Sequence, residues 1–344
     1  MLTVSRRRIC HVLNRFVCEV DDIKQNTSRD VADGRSRRTF LAGSVAAVGA
    51  VAAASRATVA ADLTPVKIAA TASESASNVF YAQDLGFFRE HGLDVELQLL
   101  RNSGAYVNGI ISGTFDVGAV ASGSLVTAFS RGLPFALVAN GGVYSAATPQ
   151  TMLFVARGSS LRTAADFKGK TIAVSTLRAI TQVSVMAWID RNGGDLQSVT
   201  FVELSPPTML PALQQGRVDA AFIGEPFLTP ALEQATPIAP CSSMVANHFL
   251  VVGWATSRSW LTANRATAQR LQAAFDQADA WALRNRSAAG VILGKYAQIP
   301  PEVVQKMRHV DWTPGASANL VQPVIDLMAK YGVIEKSYRA SSLL

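Results

Sequence analysis

The chain has 344 residues, of which 49% are hydrophobic and 17% charged, and its formal net charge is +7. Residues 1–61 hold ten Lys or Arg and five Asp or Glu, so the rest carries 22 basic against 20 acidic residues. A nearly neutral body offers no electrostatic footprint for nucleic acid, which excludes that class of partner. Only Cys241 lies beyond residue 61, so an internal disulfide is excluded there.

Residues 1–61 are interpreted as a leader that contains a signal peptide. Residues 36–41 read Ser-Arg-Arg-Thr-Phe-Leu, a twin-arginine pattern, and residues 41–54 are rich in Ala, Gly and Val. Val-Ala-Ala at 59–61 provides small residues for cleavage. The apolar run is well below the roughly 20 residues that span a bilayer, which favours a cleaved signal over a membrane anchor. We therefore expect export by the twin-arginine route and a mature start near Asp62.

The first part of the remaining chain alternates strand and helix patterns, which predicts a parallel sheet. The predicted elements are a strand over 65–71, a helix over 78–91 ended by Gly92, a strand over 94–100, a helix over 106–112, a strand over 115–120, a helix over 124–131 and a strand over 135–140.

The alternation continues in a second part, which a strand over 152–156 and a charged turn at 166–170 introduce. The further predicted elements are a strand over 171–175, helices over 181–191, 208–215 and 229–234, and strands over 199–204, 218–224 and 249–255. The last strand is expected to return to the first lobe, where four C-terminal helical segments, 266–286, 287–296, 301–309 and 318–331, also pack. Crossings near residues 156 and 247 would divide the chain into 62–156, 157–246 and 247–344.

The two parts repeat one pattern about a hundred residues apart. Ile68 and Ile172 occupy equivalent strands, and Gly113 and Gly216 each end a helix immediately before another apolar strand. Glycine favours the left-handed conformation that ends a helix. The repeat predicts two α/β lobes of like topology that face each other across a cleft, with ligand loops at the carboxyl ends of their strands.

Four loops should face this cleft, 71–77 against 175–181 and 121–124 against 224–227, and three of them are rich in hydroxyl and small residues. Such residues at helix N-termini favour anions, and they also commonly cap the helix; the two roles are compatible. The candidate ligand-binding residues are Ser73, Ser75, Ser77, Asn102, Ser122, Tyr144, Thr176, Arg178, Thr181, Glu225 and Phe227.

Arg178 is the candidate that would select an anion, because a guanidinium can hold a carboxylate or sulfonate through two parallel hydrogen bonds. It could instead be solvated, or it could pair with Glu225. Glu225 could accept a donor from the ligand, and Tyr144 and Phe227 could contact a ring or serve mainly in packing.

Four stretches carry a resemblance to a known family: 80–96, 112–118, 166–174 and 218–227. From Val66 to the end, the chain resembles the nitrate/sulfonate/taurine (NMT1-like) type of substrate-binding protein of ABC importers, a type that includes binders of the thiamine pyrimidine precursor. The resemblance implies an α/β, bilobed periplasmic-binding-protein-like fold (type II), with two βαβ lobes and two hinge crossings. It also implies a periplasmic protein that closes on a small ligand and delivers it to a membrane permease.

We expect a monomer that binds a small organic anion, a sulfonate or an aromatic carboxylate. The alternative ligand is a neutral pyrimidine or an amine, which would favour Glu225 and the aromatic residues as contacts. An alternative role is that of a sensory ligand-binding protein.

An enzyme is not expected. Fungal relatives of the thiamine-precursor binders use a Cys-rich motif and a His, and no such motif occurs here. His91, His248 and His309 lack metal-ligand spacing. The sequence contains neither a nucleophile elbow nor a phosphate loop, so we expect no catalytic residue, metal or cofactor. Asp116 and Asp219 are interpreted as turn or helix-end ligands.

Overall fold

The computed structural model describes residues 63–100 and 103–344, so the predicted leader and Asn102 lie outside the described residues. The strands are β1 Thr64–Ala70, β2 Leu93–Leu99, β3 Val117–Ala121, β4 Phe135–Asn140, β5 Val143–Ser145, β6 Thr151–Ala156, β7 Thr171–Val174, β8 Thr200–Glu203, β9 Ala220–Gly224, β10 Ala235–Ala239, β11 His248–Leu250 and β12 Val252–Ser257. The α-helices are α1 Asn78–Asp84, α2 Phe87–Glu90, α3 Ser103–Ile111, α4 Ser122–Ser130, α5 Ile180–Arg191, α6 Pro206–Gln214, α7 Leu228–Leu232, α8 Arg258–Ala263, α9 Arg265–Arg284, α10 Arg286–Ala297, α11 Pro301–Lys306 and α12 Ala318–Lys330.

Two five-stranded sheets share one topology. The first has the order β2-β1-β3-β12-β4, and the second has the order β8-β7-β9-β6-β10. In each sheet four strands run in the same direction, and one strand, β12 or β6, runs antiparallel to both of its neighbours. The prediction of a purely parallel sheet is therefore wrong, because β12 and β6 run antiparallel to their neighbours.

The predicted repeat is visible in matching backbone contacts. Gly113 and Gly216 both have the left-handed conformation, with φ of 75° and 67°. The Asp116 carboxylate accepts from the Lys67 N–H at 2.7 Å, and the Asp219 carboxylate accepts from the Thr171 N–H at 2.8 Å. Both aspartates thus accept a backbone N–H of the neighbouring strand, a structural role that agrees with their interpretation as turn ligands.

Strand β6 belongs to the second sheet, where it lies between β9 and β10. The first crossing therefore lies before residue 151, whereas the sequence placed it near residue 156. The apolar pattern of a strand does not reveal which sheet the strand joins. The helix predicted over 78–91 is interrupted and forms α1 and α2, and the strand predicted over 249–255 divides into β11 and β12.

Strands β5 and β11 form a two-stranded antiparallel ribbon where the chain passes between the sheets in both directions. Near the ribbon, the Asp311 N–H donates to the Val143 carbonyl at 2.9 Å, which ties the segment before α12 to it. The end of α12 also reaches α5, where Lys330 and Tyr331 both donate to Asp190, at 2.9 and 2.8 Å. The C-terminal segments thus contact both sheets' helices, and not only the first lobe as expected.

Apolar side chains pack on both faces of each sheet. In the first sheet Trp254 is fully buried, stacks on Phe275 of α9 at 4.5 Å and donates its indole N–H to Asn78. At the second sheet Phe154 and Phe167 are both fully buried, and each belongs to a different apolar cluster. None of the helices in the described ranges is long and apolar enough to cross a membrane.

Candidate functional site

A cavity of about 180 Å³ lies between the carboxyl ends of the two sheets, beside the β5/β11 ribbon. Its walls come from the loop after β1, the N-terminus of α5, the end of β9 and the ribbon strands. The predicted candidates that line it are Ser73, Ser75, Tyr144, Thr181 and Glu225. Sequence analysis did not identify several other lining residues. The polar ones among them are Glu74, Gln150, Thr151 and Ser242.

The loop after β1 approaches the ribbon closely. The Gly142 N–H donates to the Ser75 carbonyl at 2.7 Å, and a Cβ on Gly142 would lie 2.7 Å from the Ser75 Cα. Real Cβ atoms do not come so near a backbone atom, so only glycine fits at this position. The contact fixes the loop that carries Ser73, Glu74 and Ser75 into the cavity.

Glu74 is the lining residue with the most unusual environment. One carboxylate oxygen, Oε1, accepts from His309 Nδ1 at 2.7 Å and from the Val310 N–H at 3.0 Å. Oε2 has no hydrogen-bond partner within the described ranges, and 11% of the side chain is exposed. Burial raises the pKa of Glu74, while the His309 contact opposes this shift.

Tyr144 places a second unpaired polar atom at the cavity. The residue is 1% exposed, its ring stacks on Phe249 at 4.9 Å, and its hydroxyl finds no hydrogen-bond partner in the part of the chain that the structure describes. Burial raises the pKa of Tyr144 to about 12, so the phenol is neutral at physiological pH. A buried hydroxyl without a partner is costly, and a solute in the cavity could supply the missing bond.

Glu225 is held by its own surroundings. Its carboxylate accepts from the Thr229 hydroxyl at 2.8 Å, from the Thr229 N–H at 3.1 Å and from the Arg308 N–H at 3.0 Å. It therefore does not pair with Arg178, one of the alternatives raised by the sequence. The bond from Arg308 links the end of β9 to the segment that also contacts Glu74.

Hydroxyl groups complete the polar lining. Thr151 Oγ1 and Ser242 Oγ lie 2.7 Å apart and hydrogen-bond to each other. Thr181 Oγ1 donates to the Thr176 carbonyl at 3.2 Å, within the loop that begins α5. Gln150 donates to the carbonyls of Thr148 and His309, which orients its amide.

Arg178 does not reach the cavity. Its side chain is exposed, and its backbone has the left-handed conformation, with φ of 54°. Its N–H donates to the Gln182 side chain at 2.6 Å. Arg178 is not a lining residue, so the expected anion preference has no Lys or Arg side chain among the described residues that line the cavity.

The other candidates also lie off the cavity. Ser77 is buried and donates to Tyr81 at 2.7 Å, Thr176 is exposed, and Phe227 packs partly buried against a core cluster of the second sheet. The buried Ser122 hydroxyl has no hydrogen-bond partner among the described residues, but Ser122 does not line the cavity. Asn102 lies outside the described residues.

Other features of the described residues differ from this cavity. A larger groove of about 630 Å³ lies beside α10 and α11, but its lining comes from one segment of the chain, residues 286–309, and not from both repeats. In the described ranges no group of three His, Cys, Asp or Glu could hold a metal ion. Cys241 is buried, and burial raises the pKa of its thiol, so it is not poised as a nucleophile.

Comparison with known proteins places this architecture in a family. Residues 74–289 match the family described as NMT1/THI5 like. A relative in Brucella abortus, named only as a candidate binding protein, is 25% identical over 193 residues, which are 56% of this chain and 56% of the relative. The match thus spans only about half the length of this curated relative.

Solved structures share the fold at low sequence identity. The periplasmic aliphatic sulphonate binding protein of Escherichia coli has a TM-score of 0.67 and 18% identity, over 81% of this chain and 91% of that one. The periplasmic nitrate-binding protein of Synechocystis PCC 6803 has a TM-score of 0.66 and 14% identity, over 82% and 85%. The predicted bilobed α/β fold is confirmed, and this chain belongs to the NMT1/THI5-like family.

Proposed function

We propose that this chain is the extracytoplasmic solute-binding component of an ABC import system, and that it binds rather than transforms its solute. The observation that supports this most is the cavity between the two sheets, which has walls from both repeats and, in the described ranges, two polar atoms without a hydrogen-bond partner. Binding would close the lobes around the β5/β11 ribbon, and the closed form would be recognised by a membrane permease. The protein would act as a monomer.

The cavity volume limits the solute. A volume of about 180 Å³ corresponds to about six water molecules at ~30 Å³ each, so the ligand is a small molecule. The sulphonate and nitrate binders named above support this size class. They do not decide the charge of the solute, because the resemblance to them is one of fold.

The leader supports a periplasmic location. Export by the twin-arginine route would require both Arg37 and Arg38, because they precede an only weakly hydrophobic run. Changing the pair to Lys-Lys should abolish recovery from the periplasmic fraction, whereas a Lys replacement of Arg35, outside the pair, should not. Unchanged recovery of the Lys-Lys variant would remove this route.

A thermal-shift screen tests solute binding. The screen covers amines, sulfonates, aromatic acids, nitrate and pyrimidines. At least one of these ligands, at a hundred times its Kd, should add about 2.7 kcal/mol of apparent stability. Thr181→Trp, which fills the cavity, should remove the shift. Thr176→Trp in the same loop is exposed and should keep it. The proposal fails if no class shifts the transition, or if the filled variant responds like the wild type.

A further inference from the structure

The charged side chains that line the cavity are acidic. Glu74 and Glu225 are carboxylates, and neither Lys nor Arg is found among the lining residues in the described ranges. The N-terminus of α5 also faces the cavity, with Ile180 and Thr181 among the lining residues. A helix terminus carries only about half an elementary charge, less than an ionised carboxylate.

The two carboxylates differ in what they can still accept. Glu225 already receives three hydrogen bonds, from Thr229 twice and from Arg308. Glu74 receives both of its bonds at Oε1, from His309 and Val310, which leaves Oε2 without a partner in the described part of the chain. Glu74 Oε2 is therefore the acceptor that a solute can use.

A second unpaired group lies at the same cavity. Tyr144 lines the cavity, and its hydroxyl is buried and has no partner in the described ranges. It can accept a hydrogen bond from a nitrogen donor or donate one to a neighbouring oxygen of the solute. A solute with several N–H donors could satisfy both Glu74 and Tyr144.

We propose that the solute carries a protonated amine, which donates to Glu74 Oε2 and lies within reach of the Tyr144 hydroxyl. This inference rests on the proposed solute-binding function and names the chemical class of its ligand. A bound ammonium group compensates a carboxylate that is otherwise largely removed from water, whereas an anion in the same place would meet two like charges. The proposal replaces Arg178 with Glu74 as the residue that selects the charge of the ligand.

Calorimetric titration of the purified protein with charge-reversed probes tests the proposal. The probes are n-butylammonium against butane-1-sulfonate, and benzylammonium against benzenesulfonate. The ammonium member of at least one pair should bind more tightly than its sulfonate. Glu74→Gln should weaken that binding by about 30-fold or more, the effect of removing one partner of a buried charged pair. Glu96→Gln, an exposed change on β2, should leave it unchanged.

Other outcomes overturn the inference. Tighter binding of a sulfonate, or a Glu74→Gln variant with wild-type affinity for the ammonium probe, contradicts the proposed role of Glu74. If Glu74→Gln does not fold, Tyr144→Phe serves instead, and it should reduce ammonium affinity by about 2- to 10-fold. If no ammonium probe binds but another class shifts the transition in the thermal screen, the amine proposal fails while solute binding stands.

Discussion

Replacing Tyr144 with Phe should stabilise the empty protein while it weakens solute binding. The hydroxyl is buried and has no hydrogen-bond partner within the described ranges, so the folded state loses the hydration that this group has in the unfolded chain. Such a group costs about 1–3 kcal/mol. Phe keeps the ring that stacks on Phe249 at 4.9 Å, so little packing is lost.

We expect the Tyr144→Phe variant to gain about 1 kcal/mol of unfolding free energy, the lower end of that range, and about 2–4 °C in Tm. Tyr106→Phe is a matched control because Tyr106 is equally buried, but its hydroxyl donates to the Leu100 carbonyl at 2.9 Å. That control should lose about 1 kcal/mol, since it leaves a carbonyl without its donor.

Denaturant and thermal unfolding without ligand measure both variants, and calorimetry with the best ligand from the screen measures binding. The two variants should change stability in opposite directions, and only Tyr144→Phe should weaken binding. A Tyr144→Phe variant that is destabilised as much as Tyr106→Phe would refute the reasoning, because it would show that the Tyr144 hydroxyl is already satisfied in the empty protein.

Three further outcomes are expected. Asp279 is buried, and both of its carboxylate oxygens lack a hydrogen-bond partner in the described ranges. Burial raises the pKa of Asp279 well above the usual range. The free energy of unfolding should therefore fall as the pH rises from about 4, the pKa in the unfolded chain, through the pKa in the folded protein. Asp279→Asn should flatten this decline in denaturant titrations across that window; an unchanged slope would contradict it. Asp116→Ala and Asp219→Ala should each lower the free energy of unfolding by about 1 kcal/mol, because each removes an equivalent hydrogen bond to a strand N–H. Chemical unfolding that shows only one variant to be destabilised would contradict this equivalence. Arg178→Ala should leave the Kd of the best ligand within a few fold in calorimetry, since the side chain is exposed away from the cavity, and a loss of tenfold or more would restore the anion clamp.

Much of the fold could be predicted because it depends on local patterns that occur twice. The helix-ending glycines and the apolar strands that follow them are short-range signals, and Gly113 and Gly216 have the predicted left-handed conformation. The sheet to which β6 belongs could not be predicted in this way. Its partners β9 and β10 lie more than sixty residues along the chain, and an apolar run of six residues carries no information about them.

The site was predictable only in its loops. Ser73, Ser75 and Thr181 follow strands whose carboxyl ends form the cavity edge, so their place follows from the topology. Glu74 could have been recognised as a charged residue within that serine-rich loop. Ser242 and Val310 had no comparable signal, because only the folded chain brings them there. The sequence position of Arg178 did not reveal that its backbone has a left-handed conformation or that its side chain is exposed.

The central claim is that a small solute binds between the two sheets, and ¹⁹F NMR of the protein labelled with 3-fluorotyrosine at position 144 tests it most directly. A saturating ligand from the screen should shift the resonance at position 144, which lines the cavity, while a label at Tyr106, buried elsewhere in the first lobe, should stay unchanged. If the ligand binds and the resonance at 144 does not move, the solute site lies outside this cavity and the account is contradicted.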